Sequence, residues 1–120
     1  MTTCRILIVD DNQGVRESIA CLLELEGYLV CTAVDGYDAL EKLKEDILPC
    51  WILLDMTMPR MGGEKCLKKI RSHSEWKDIP VTLFSATKQC HVDSMPHNVD
   101  YLQKPFEVDS LLANVKKHCG

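Results

Sequence analysis

The sequence lacks what would commit it to a membrane, a secretory route or a nucleic acid. No apolar run nears the ~20 residues that span a bilayer, and the opening MTTCR holds no apolar leader stretch. Basic residues are not in excess: 14 Lys and Arg against 18 Asp and Glu leave a net charge of −4. That balance gives no electrostatic footprint for DNA or RNA and no basic face for a lipid surface. We expect a cytoplasmic protein with no direct nucleic-acid or membrane contact. Repeats, low-complexity tracts and interdomain linkers are missing as well. Residues 1–120 therefore read as a single domain around one core. The chain stops with its last helical segment, and we expect no output domain within it.

Cysteine is not scarce, but its usual patterns are absent. The seven (Cys4, Cys21, Cys31, Cys50, Cys66, Cys90 and Cys119) are odd in number, and none stand in a CxxC spacing. That argues against a zinc site or a redox pair. Cys31, Cys66 and Cys119 fall on apolar positions of their segments. The cysteines are expected as small buried hydrophobes in a reducing compartment.

What the chain does have is alternation. Short apolar runs at 5–9, 28–33, 51–54 and 80–84, with a weaker one at 100–103, read as strands. Between them, apolar residues recur at helical spacing: Val15, Ile19, Leu22 and Leu23; then Ala39, Leu40 and Leu43; then Cys66, Leu67 and Ile70. A last helix is predicted over 108–119, with Val108, Leu111, Leu112, Val115 and Cys119 on one face. Gly27 is placed to end the first helix. Residues 87–99 have weak periodicity and contain Pro96, so any fourth helix there is short. Strands alternating with amphipathic helices imply a doubly wound α/β fold, a parallel sheet covered on both faces. Trp51 and Trp76 are expected to pack or anchor, and His73, His91, His97 and His118 to lie at the surface.

In such sheets, ligands bind beyond the carboxyl ends of the strands. Here those ends carry Asp10 and Asp11, then Asp55, then Ser85, then Lys104. Asp35, after the second strand, is that strand's only acid. An N-cap would explain one acid before a helix, and Asn12 could cap alone. It does not explain a second acid, nor Asp55. Three carboxylates in one place repel, at ~4 Å by about 4 kcal/mol per pair for an effective dielectric near 20. A hard divalent cation, Mg²⁺ or Mn²⁺, resolves that repulsion. A carboxylate beside such an ion and a lysine suits phosphoryl transfer. A phosphate-bearing cofactor does not fit, because DDNQG puts negative charge where its phosphate would lie. GxGxxG and GxxxxGK[ST] are also absent.

ILIVDDN, LLDMTMPRMGG, FSA and DYLQKPF occur in this order, each at a strand end. Together they resemble the receiver domain of two-component response regulators, over essentially the whole chain. The resemblance implies a flavodoxin-like five-stranded sheet in the order 2-1-3-4-5 with five helices. It implies that Asp55 takes a phosphoryl group from a sensor histidine kinase or a phosphotransfer protein. Asp11 matches the direct metal ligand, Asp10 the neighbouring acid often reached through water, and Thr57 a backbone-carbonyl ligand. Lys104 matches the lysine that pairs with the phosphoryl group, and Pro105 the residue whose preceding bond is usually cis. Ser85 matches the switch hydroxyl and Tyr101 the switch aromatic. Phosphorylation then reshapes the face of helix four, strand five and helix five, read by a downstream protein or output domain that the sequence does not name.

Such a protein is a switch rather than an enzyme, promoting only its own phosphotransfer and dephosphorylation. A phosphatase with an aspartate nucleophile would need an acid two residues after Asp55, where Thr57 stands. The alternative is a degenerate receiver that docks proteins without phosphorylation. Two departures from the family pattern stand out: Gly62 replaces an acid often found there, and the stretch between Ala86 and Tyr101 is short.

Overall fold

The run Ile6–Val9 is apolar on both faces, and the fold uses both: all four residues are buried in the first strand, β1. The computed structural model describes residues 6–45, 49–56, 60–85, 99–103 and 107–119. After β1 come α1 (Gln13–Leu25), β2 (Val30–Ala33), α2 (Gly36–Lys44), β3 (Trp51–Asp55) and α3 (Gly63–Ser72). Then follow β4 (Val81–Ser85), β5 (Val99–Gln103) and α4 (Val108–Cys119). The five strands are parallel, in the order β2-β1-β3-β4-β5. The expected doubly wound sheet and its strand order are therefore present. Four helices lie among the described residues, and α4 is the fifth helix of the sequence reading. The segment expected to hold a short fourth helix lies, up to residue 98, outside the described residues.

Strand alternation divides the core in two. Leu7, Val9, Ile52, Leu54, Val81 and Leu83 point to one face, under Ala39 and Leu43 of α2 and Leu67 and Ile70 of α3. Ile6, Ile8, Trp51, Leu53 and Phe84 point to the other, against Ile19 and Leu23 of α1 and Leu111 and Val115 of α4. Both faces of the central strands are thus removed from water, which is why their sequences run apolar without alternation. No helix among the described residues is long and apolar enough to cross a membrane.

Element ends follow local chemistry. Asn12 caps α1, its side chain accepting from the Val15 N–H. Gly27 takes φ +94°, and Tyr28 N–H closes back on the Leu23 carbonyl at 3.1 Å. Tyr28 thus serves the end of α1 and β2 begins at Val30, later than the expected residue 28. Asp35 caps α2, accepting from the Asp38 N–H at 2.8 Å, so that helix opens at Gly36.

The cysteine reading needs correction. Cys50 and Cys119 are joined by a disulfide across 69 residues of sequence, with Cα atoms 5.7 Å apart. Spacing motifs detect only pairs that are near in sequence, and this pair is assembled by the fold. Cys21 is exposed, and Cys31 is only half-buried. Of the three cysteines read as buried apolar positions, Cys66 is the one that behaves so. His118 also departs from expectation. Its ring stacks on the buried Trp51, with centroids 6.1 Å apart. His73 stacks on Trp76, which is buried as a packing residue. Cys4, Cys90, His91 and His97 lie outside the described residues.

Candidate functional site: an acidic cluster at the strand ends

The strand order reverses between β1 and β3: β2 lies outside β1, while β4 and β5 lie outside β3. Asp10 and Asp11 follow β1 and Asp55 ends β3, so the two neighbouring strands deliver all three acids to that crevice. One carboxylate oxygen from each lies within 4.8 Å of the others. Asp10 and Asp55 are almost fully buried, while Asp11 is exposed. At ~5 Å and an effective dielectric near 20, two such charges oppose each other by about 3 kcal/mol. An all-oxygen donor set of this size fits a hard cation such as Mg²⁺ or Mn²⁺ rather than a soft metal.

The three acids are held differently. Asp10 Oδ1 accepts the Asn12 N–H at 2.9 Å, and its backbone carbonyl accepts from Arg16 Nη1 at 2.8 Å. One of its oxygens is therefore engaged in shaping the β1–α1 turn. The Asp11 carboxylate has no hydrogen-bond or ion-pair partner among the described residues. Asp55 is fixed through its strand: it pairs in register with Phe84, and Met56 N–H donates to the Phe84 carbonyl at 2.9 Å.

The other expected site residues are placed as follows. Ser85 ends β4, in register with Gln103. Tyr101 is half-buried, packs against the α2–α3 side of the core, and directs its hydroxyl at the Met56 sulfur. Burial, with the charge of Glu64 nearby, pushes that hydroxyl's pKa up. The aromatic expected to swing is thus in contact with the residue next to Asp55. Thr57, Lys104 and Pro105 lie outside the described residues.

Two features of the site were not read from the sequence. The first is a clamp. Arg60 Nε donates to Asp35 Oδ2 at 2.8 Å, Arg60 Nη2 reaches the same oxygen, and the guanidinium carbon sits 5.3 Å from the Tyr37 ring centroid. It ties the segment after β3 to the turn after β2. The Asp38 N–H and the Arg60 guanidinium hold the Asp35 carboxyl below its usual range, although burial opposes them. Nothing in the sequence pairs residues 25 apart in two different turns. The second is Gly63, whose N–H donates to the Met56 carbonyl at 2.9 Å. A Cβ there would lie 2.5 Å from the Asp55 carbonyl oxygen. The adjacent glycines in RMGG were the available signal.

Comparison with known proteins agrees with this geometry. A family model described as the response regulator receiver domain matches residues 6–116. The response regulator MprA of Mycobacterium ulcerans (strain Agy99) is 38% identical over 120 residues, covering 93% of this chain and 48% of MprA. Protein PilG of Pseudomonas aeruginosa is 34% identical over 118 residues, covering 95% of this chain and 86% of PilG. The chain thus spans about half the length of MprA, and most of PilG. Among solved structures, Vibrio cholerae chemotaxis protein CheY4 superimposes with a TM-score of 0.88 at 28% identity, covering 98% of this chain and 99% of that one.

Proposed function

Because the chain belongs to the response regulator receiver domain family, we propose that it is a phosphorylation-dependent switch that accepts a phosphoryl group on Asp55. Receiver domains are the signalling domains of two-component systems, and response regulators work with histidine kinases or phosphotransfer proteins. The observation that carries the reading is the convergence of Asp10, Asp11 and Asp55 within 4.8 Å at the strand-order reversal.

In this reading Asp10, Asp11, Asp55 and the Thr57 carbonyl would hold Mg²⁺ or Mn²⁺. When bound, the ion supplies positive charge against the phosphoryl oxygens. The Asp55 carboxylate attacks phosphorus in line, and the bond to the donor's nitrogen breaks. Lys104 pairs with the phosphoryl oxygens, and Pro105 sets the course of the chain after it. Ser85 is drawn to a phosphoryl oxygen, and Tyr101, whose hydroxyl now meets the Met56 sulfur, swings inward. The face of β5, α4 and the segment expected to hold the fourth helix then changes shape for a downstream protein or output domain. We place this activity in the cytoplasm, without direct contact to nucleic acid or membrane.

The test uses acetyl phosphate with and without Mg²⁺, read by intact mass and peptide mapping. One phosphoryl group is expected, on the peptide containing Asp55, and chelation should prevent its uptake. Uptake at another residue would overturn the assignment. A chain that takes up nothing would be a degenerate, phosphorylation-independent docking receiver.

The two acids of the β1–α1 turn should not contribute equally to metal affinity. Asp10 already spends one oxygen on the Asn12 N–H, whereas Asp11 is exposed and still brings a carboxylate oxygen to the cluster. Asp11→Ala is expected to weaken Mg²⁺ binding by about tenfold more than Asp10→Ala does. Titration of Mg²⁺ by calorimetry would check the order, and the reverse order would make Asp10 the direct ligand.

A further inference from the structure

The phosphoryl-switch reading leaves the opposite end of β3 unused, yet that end carries a second constellation. Cys50 immediately precedes β3, and Cys119 is the last residue of α4. Their sulfurs are bonded, and the residues beside them also meet, with the His118 ring stacked on Trp51 at an interplanar angle of 21°. Two consecutive residues at the strand's start thus engage two consecutive residues at the helix's end. Each side is anchored independently. Trp51 is fully buried, and its indole N–H donates to Thr82 Oγ1 on β4 at 2.9 Å. His118 Nε2 lies 3.0 Å from Asp100 Oδ2 on β5, and Lys117 Nζ lies 3.3 Å from the same oxygen. The end of α4 is therefore held over β3 and β5 by contacts that do not need the sulfur bond. Those contacts can bring the two sulfurs back together after the bond opens, but the Lys117 ion pair is solvent-exposed and only the sulfur bond ties the helix end down covalently.

Neither cysteine is fully buried. Cys66 is different: burial pushes its thiol up to about 12, which removes it as a competing thiolate. In reducing compartments, disulfides are characteristically transient or redox-sensing rather than permanent.

We propose that Cys50 and Cys119 form a reversible thiol–disulfide site that fastens the last turns of α4 to the sheet when oxidised and frees them when reduced. In the reducing direction, a thiolate of a dithiol reductant attacks one sulfur and breaks the Cys50–Cys119 bond. The displaced cysteine leaves as a thiolate and takes up a proton. The reductant's second thiolate then displaces the other cysteine, and the reductant departs as its own disulfide, having given up two electrons. A small disulfide oxidant, such as oxidised glutathione, runs the same exchange in reverse. The effect on signalling rests on the phosphoryl-switch reading: α4 belongs to the face proposed to move, and the bond stiffens that face from the end remote from Asp55.

The site is tested on the 120-residue chain without any phosphoryl donor. The protein is equilibrated in graded glutathione buffers, its free thiols are blocked, and peptides are mapped alongside hydrogen exchange of residues 108–119. A Cys50–Cys119 cross-linked peptide is expected under oxidising conditions and is lost to dithiothreitol. Reduction should speed amide exchange in the last two turns of α4 by about tenfold, while β1 and β3 amides keep their protection. Cys50→Ser should show the fast exchange even under oxidising conditions. If that variant fails to fold, wild-type protein with and without reductant carries the test. No cross-link, cross-links to Cys21 or Cys31 instead, or unchanged exchange on reduction would overturn the proposal. So would loss of β1 and β3 protection, which would make the bond structural. A chain that shows redox-dependent exchange yet takes up no phosphoryl group would support this site and refute only the phosphoryl-switch reading.

Discussion

Asp55→Asn is expected to abolish phosphoryl uptake from acetyl phosphate while leaving the fold intact. The side chains are nearly the same size, and position 55 is held in register by its strand pairing to Phe84. What disappears is the nucleophile, because an amide oxygen does not displace the phosphoryl donor at a useful rate. One anionic donor of three is also lost, so Mg²⁺ affinity should fall by at least about tenfold. The sign for stability is the opposite. Asp10 and Asp11 each oppose the Asp55 charge, by about 3 kcal/mol at ~5 Å before any counter-charge is counted. Removing that charge relieves both repulsions, and the Asn side chain keeps an oxygen that can accept a hydrogen bond, so thermal unfolding in chelator should come no earlier than in the wild type. Intact mass reads the first result and a calorimetric melt the second. Persistent uptake by the variant would remove Asp55 as the acceptor. Early melting would show that its carboxylate is structural.

That result would bear on a residue visible in the sequence, and the reason is physical. Asp10 and Asp55 each follow an apolar run directly, with Asp11 next after Asp10, and a buried parallel strand delivers the residues after it to a known edge of the sheet. Ile6–Val9 and Trp51–Asp55 were legible because strands buried on both faces need continuous apolar sequence. α4 was legible because Leu111 and Val115 recur at helical spacing. The features that escaped have no such local signature. The Arg60–Asp35 clamp, the Trp51–His118 stack and the Cys50–Cys119 bond each join chain segments that meet only after the sheet has formed. His118 reads as a surface residue because its helix ends in Lys116 and Lys117, which are exposed. The flat face of Trp51 that receives its ring is a property of the packed strand. The same holds for the cysteines: a pair 69 residues apart in sequence leaves no spacing to detect.

Gly63→Ala should be among the most damaging single-methyl changes near the site. An added Cβ would lie 2.5 Å from the Asp55 carbonyl oxygen and 2.7 Å from the Met56 Cα. Both are backbone atoms, so no side chain can rotate out of the way. The end of β3 or the start of α3 must move, and the Gly63 N–H bond to the Met56 carbonyl would go with it. Overpacking of this kind costs about 3 kcal/mol. The functional loss should be larger than stability alone implies, because the atoms displaced belong to Asp55 itself. A shift of ~1 Å at a reacting group can cost about 100-fold in rate. Gly62→Ala is the control. Gly62 has φ −68° and ψ 163°, open to any residue, and its added Cβ would meet the Met56 carbonyl oxygen at 3.3 Å. It should lose less than about 1 kcal/mol and keep its phosphoryl uptake. Denaturant midpoints and acetyl phosphate uptake rates for the two variants would decide the matter. Equal behaviour of the pair would mean that the approach of Gly63 to Asp55 does not set the site's geometry.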